Sequence, residues 1–367
     1  MSLNRRAVIG LGVLGASAAA TAGVVALRDR PELRAALGKT TPLRGYAGGE
    51  KMAFLENPRT IAALKHRGFT MSAERAGSVE QVRDPQLLGT KPDFLWPSSS
   101  PLVELARKNA KVLRDEVIFN SPIVVYSWAP IADGLVRAGL AGKEGAHYTL
   151  DAKALIQAVL DRKAWTELGQ PDLYGRVRLI ATDPNKSNSG FMFAGLAANL
   201  LAGDVATVDT LPQVLPQLTE LFRGMGFKSS SSGKVFDDYI AGGPGADPLV
   251  VGYENQLVEW ILQDKARWTR VETAAGPAKP VALYPKPTVY SAHPLIALTA
   301  PAVGLADALL SPELQQIGWK DHGFRGPLGA VGAESDPMVR GRMPAQLTSI
   351  TPMPDINVML QILQALA

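Results

Sequence analysis

Short apolar, β-branched runs alternate along the chain with longer segments in which apolar residues recur every three or four positions. Gly, Pro and Ser clusters separate the two kinds. TPLRGYAGGE (41–50) reads as a strand ending in a Gly turn, and the segment after it has helical spacing that Pro58 breaks into two helices. FTMSAERAGS is a second strand and turn, SVEQVRDPQLLG a helix, PDFLWPSSS a third strand and PLVELARKNAKVL a helix. Helix-like segments, the strand GRVRLIATDP, the helix SNSGFMFAGLAANLLAG, the strand PLVVGYE and the helix NQLVEWILQDKARW follow. This strand–turn–helix rhythm predicts an α/β fold with mixed, mainly parallel sheets flanked by helices.

Two β-rich runs, 116–128 and 287–299, are longer than the rest. One reading has both crossing between two lobes, with 41–122 plus 292–367 in lobe one and 123–291 in lobe two. The other has both as long strands of one large sheet, and periodicity alone does not choose. The tail from Pro344 ends in INVMLQILQALA, an apolar helix that must pack against something.

A chain of 367 residues with 46% apolar and 20% charged residues has ordinary globular composition and suits two packed lobes. The net charge of +4 is small, and Arg5 and Arg6 supply two of the positive charges, so no nucleic-acid footprint is present. The absence of Cys excludes disulfides, thiolate metal sites and a lipidated Cys. Residues 1–27 stand apart, because Arg5-Arg6 precedes an uncharged stretch that runs to Leu27. They read as a signal peptide, loosely of twin-arginine type, or as an N-terminal membrane anchor. Either reading places the rest of the chain on the periplasmic or extracellular side. Residues 28–40 read as a charged spacer.

The segment ADALLSPELQQIGWKDHGFRG carries LLSPELQQ (309–316) and GFRG (323–326). It resembles a signature of type 2 periplasmic solute-binding proteins of ABC transporters. Ser311 as a helix cap and Pro312 at the first helical position explain part of that string on local grounds. Four further segments resemble the family in the same order: 75–100, NSPIVVYS, ATDPNKSNSGFMFAGL and YSAHPLIALT. The pattern is nearest to the oxyanion (molybdate- or sulfate-like) and ferric-ion-binding branches. The resemblance implies a two-lobed fold joined by two crossover strands and closing about a hinge. It implies a monomeric receptor that captures a small, anionic solute and delivers it to an ABC permease, without a cofactor. A membrane-tethered sensor of the same fold, or an exported enzyme, remains an alternative.

The candidate ligand contacts all lie where a strand ends and a helix begins, where free N–H groups and the positive end of the helix dipole favour anions. They are Gly48 and Gly49, Ser78, Ser98 and Ser99, the run Ser187-Asn188-Ser189, and Tyr253 with Glu254. The resemblance implies that these turns face one another. Ser78 also reads as an N-cap with Gln81 completing a capping box. Tyr253 matches a ligand-contacting Tyr of the oxyanion branch. Glu254 departs from an oxyanion pocket, since a carboxylate repels an anion unless turned away, and it suits a ligand with a cationic or donor group. Trp96 and Trp128 could wall a pocket, but large aromatics more often sit in the core. Enzyme signatures are missing: the four His show no metal spacing, and there is no nucleophile elbow, P-loop or dinucleotide fingerprint.

Overall fold

The computed structural model describes residues 39–226, 228–273, 279–327 and 336–367. The segment 1–27, and with it the signal-peptide and anchor readings, lies outside them. No helix among the described residues is long and apolar enough to cross a membrane.

Among the described residues, nine strands order the fold. β1 (Thr41–Ala47), β2 (Phe69–Arg75) and β3 (Phe94–Trp96) run parallel, and β9 (Tyr290–Ala297) is antiparallel to β3. β4 (Arg114–Trp128) pairs with β9 from Arg114 to Pro122 and then leaves it. From Ile123 to Trp128 it pairs instead with β7 (Val250–Tyr253) and β8 (Pro280–Pro285). β6 (His147–Leu150) runs parallel to β8 and forms a hairpin with β5 (Ala141–Glu144). One 15-residue strand therefore belongs to two sheets. It can do so because it is buried without interruption from Ile118 to Trp128. The first sheet, with β2, β1, β3, β9 and the start of β4, forms the first lobe, and the other strands form the second.

Local chemistry fixes the helices. Asn57 caps the helix Pro58–His66 by accepting from the Arg59 N–H at 2.9 Å, and Pro58 occupies its first position. That Pro separates it from the short helix Met52–Glu56, as the sequence predicts. Pro85 divides the expected single helix after Ser78 into Ser78–Arg83 and Pro85–Gly89. Ser311 takes the N-cap position before Pro312, yet its hydroxyl makes no capping bond. The β5–β6 hairpin is not visible in the sequence pattern: AGKEGAHYTL has no alternation, and its turn depends on Gly145 at φ +63°.

Trp96 and Trp128 lie in the core. Phe54, Phe94, Trp96, Phe119 and Phe324 fill one face of the first sheet. The second apolar cluster does not stop at the lobe boundary. It runs from Leu95 and Leu102 on the other face of that sheet, through Met359 and Ile362, into the second lobe. The C-terminal helix Ile356–Ala365 makes the link, packing on Pro101–Asn109 of the first lobe and on Asn188–Ala202 and Leu211–Gly224 of the second. The apolar tail thus finds its partner in both lobes.

Candidate functional site

Between the two sheets lies a cavity of about 210 Å³. Its first wall is the turn after β1 (Gly48, Gly49, Glu50) with Arg75 and Ser78. Its second wall is made by Ser187 and Asn188, by the 230–232 loop, and by Tyr253 at the end of β7. The helices Asn188–Ala202 and Ser232–Gly242 both start there. The described residues also form cavities of about 560 Å³ beside the β5–β6 hairpin and about 410 Å³ beside Trp268, but neither gathers helix starts from both lobes.

The walls touch. The Asn188 amide donates across the gap to the Ser98 carbonyl at 2.7 Å and, within its own wall, to the Tyr253 hydroxyl at 3.1 Å. A Cβ on Gly77 would fall well inside van der Waals contact of the Lys186 carbonyl opposite. Gly is required there by close backbone approach.

Gly48, Gly49, Ser78, Ser187, Asn188 and Tyr253 line the cavity; Ser98, Ser99, Ser189 and Glu254 do not. Ser98 lies directly behind the wall: its N–H donates to the Ser78 hydroxyl at 3.1 Å and its own hydroxyl to Glu50. The Ser99 hydroxyl points at the Met192 sulfur, 3.3 Å away. Ser189 is fully buried, its hydroxyl 2.7 Å from that of Thr182. Glu254 is turned away, as its charge would require beside an anion. Its carboxylate is gripped by the Arg325 guanidinium at 2.6 and 2.7 Å and accepts from the Tyr284 hydroxyl at 2.7 Å.

The capping expectation at Ser78 is corrected. Gly77 is the N-cap residue, and Glu80 accepts from its N–H at 3.0 Å. Gln81 instead ties the Ala76 carbonyl and the Trp96 N–H. Ser78 is left facing the cavity as the first helical residue.

Sequence reasoning missed a charged cluster in the floor. The Lys51 ammonium, fully buried, pairs with Glu50 and reaches the Ser98 hydroxyl at 2.7 Å and His293 Nδ1 at 3.2 Å. Ser291 continues the network, its hydroxyl donating to the Ser98 carbonyl at 2.5 Å. Burial by itself would raise the Glu50 carboxyl, but the Lys51 ammonium and His293 outweigh it and hold the group well below the usual carboxylate range. Burial also lowers the Lys51 ammonium, against the pull of Glu50. His293 is pushed down to about 4 by burial and by the Lys51 charge. The floor at neutral pH therefore holds an anionic Glu50 paired with Lys51, and a neutral His293. The signal for Glu50 was its place beside Gly48-Gly49. Nothing in the pattern marked Lys51, because a charge at a helix start is ordinarily solvated.

Tyr253 is also fully buried; burial first, then the Glu50 charge, push its hydroxyl well above its ordinary range, so it stays protonated. Among the described residues no group of three or more His, Asp or Glu is placed to hold a metal ion. The site can bind and orient a small polar molecule.

No family model matches the sequence, and no curated protein matches it. Solved structures do. A periplasmic thiamin-binding protein superposes with a TM-score of 0.60 at 12% identity, over 89% of this chain and 97% of that one. A periplasmic binding protein from Actinobacillus pleuropneumoniae, with exogenous fructose-6-phosphate bound, does so at 0.56 and 11% identity, over 89% and 97%. The apo ferric-ion-binding protein A of Pasteurella haemolytica gives 0.54 at 14% identity, over 89% and 95%. At such identities the likeness is one of fold, and it extends over nearly the whole described chain. The molecule thus has the two-lobed α/β fold of the type 2 periplasmic solute-binding proteins of ABC transporters.

Proposed function

We propose that the protein is an extracytoplasmic receptor that captures a small solute in the cavity between its lobes and delivers it to an ABC permease. One observation carries this reading: two helices of 15 and 11 residues start at the same cavity as Arg75 and the Gly48-Gly49 turn. Their N-terminal N–H groups offer partial positive charge to an anionic group of the solute. Arg75 is exposed and has no ion-pair partner among the described residues, so its charge is available at the rim.

Hinge closure follows from the same geometry. β4 changes partners between Pro122 and Ile123, and β8 gives way to β9 between Pro285 and Tyr290. We place the lobe division at these two crossings, within the 41–122 plus 292–367 and 123–291 scheme for the strands, with the C-terminal helix bridging both. A solute touching both walls favours the closed form by its differential affinity. The permease reads that closed monomer at the membrane surface, on the periplasmic or extracellular side.

The test is native mass spectrometry of gently purified protein, followed by thermal-shift screening of anions. A co-purified small molecule at one per chain, or a dose-dependent rise in Tm that Arg75→Gln reduces, supports the reading. Neither a bound molecule nor any shift across the screen refutes it.

A further inference from the structure

We propose that the solute is a small zwitterion, with an ammonium group received by Glu50 and an acid group directed at Arg75 and the helix starts. This rests on the receptor reading above and narrows its ligand class.

One carboxylate oxygen without a partner faces the cavity. The Glu50 side chain is 5% exposed; its Oε1 is taken by Lys51 and Ser98, while Oε2 has no partner among the described residues. Buried acceptors left unmade are costly, and most such groups in native proteins have a partner. A purely anionic solute leaves that oxygen unpaired and is repelled by an ionised Glu50. A purely cationic one leaves Arg75 and two helix starts unused. A molecule with one donor-rich cationic end and one acidic end meets both demands. Lys51 does not compete, since its ammonium is fully buried and already engaged.

Size sets the second limit. A cavity of about 210 Å³ holds roughly seven waters at about 30 Å³ each, so the spacer between the charged ends is short, roughly one to three carbons.

The experiment compares three matched series by isothermal titration calorimetry on the purified protein. The zwitterions are glycine, β-alanine, γ-aminobutyrate and taurine. Their deaminated counterparts are acetate, propionate, butyrate and ethanesulfonate. Ethylamine and propylamine form the cationic series. At least one zwitterion is expected to bind about tenfold or more tightly than its deaminated counterpart, the scale of one hydrogen bond to a charged group. Glu50→Gln is expected to abolish that preference. The wild-type comparison decides the matter even if Glu50→Gln fails to fold. Deaminated acids binding as tightly as zwitterions overturn the ligand class and leave the receptor reading standing. No binding in any series, with no co-purified molecule, overturns both.

Discussion

Glu254→Gln separates scaffold from site. The wild-type carboxylate takes two hydrogen bonds from Arg325, at 2.6 and 2.7 Å, with both side chains at most 1% exposed. Burial opposes the Arg325 charge, and the Glu254 carboxylate outweighs it, so the guanidinium is held above its ordinary value. The substitution keeps the shape and removes the counter-charge. Arg325 keeps the carbonyls of Pro344 and Ala345, at 2.8 and 3.3 Å, which stabilise a cation only in part. Removing one partner of a buried pair costs about 3–5 kcal/mol, and those carbonyls place the loss near the lower end. With an unfolding entropy of about 2.1 cal/mol/K per residue, that is a fall in Tm of roughly 4–6 °C. Urea denaturation and calorimetry measure the loss. Solute affinity should stay within about twofold, since Glu254 does not line the cavity. Replacing both partners by Met should recover most of the stability, because an apolar pair of similar volume leaves no buried charge. A Glu254→Gln variant of wild-type stability that had lost solute binding would refute the reasoning and return Glu254 to the ligand.

Four further outcomes are expected. His293 titrates near pH 4 in the folded protein against 6.5 as its ordinary value, so the unfolded chain binds more protons between these limits; stability should fall as pH drops from about 6.5 to about 4, by roughly 3 kcal/mol in all, and His293→Gln should flatten that slope in pH-dependent urea titrations. Gly77→Val places a side chain against the Lys186 carbonyl, so the lobes should fail to approach; affinity should drop by about tenfold or more, with a larger radius of gyration by X-ray scattering in the presence of solute. Ser189→Ala should cost about 1 kcal/mol by removing one of the Thr182 hydroxyl's two hydrogen bonds, the other being from the Gly190 N–H, yet leave affinity unchanged, whereas Ser78→Ala should lower both, as calorimetry of the two variants would show. Ile362→Ala, in the helix that joins the lobes' cores, should lose about 2–5 kcal/mol in thermal unfolding.

The sequence alone determined the alternation of strands and helices, because apolar periodicity and Pro and Gly positions act over a few residues. β1, β2, β3, β7 and the break at Pro58 follow from such local rules, while Pro85 breaks a segment that reads as one helix. The sequence also placed Gly48, Ser78 and Tyr253 at strand-to-helix junctions and Asn188 at a helix start, whereas the strand expected over GRVRLIATDP before Asn188 forms only isolated bridges at Arg176 and Ile180. Two kinds of fact needed the tertiary structure. One is the orientation of side chains at a junction: Asn188 and Ser189 are neighbours at one helix start, yet only Asn188 faces the gap, because one residue of helix turns the side chain by about 100°. The other is pairing between residues far apart in the chain. Glu254 meets Arg325 and Lys51 meets His293 only when strands from both ends of the sequence come together, and those meetings decide which charges are neutralised in the interior and which remain open to a solute. Burial of a charge depends on what the rest of the chain stacks around it, and no local pattern encodes that.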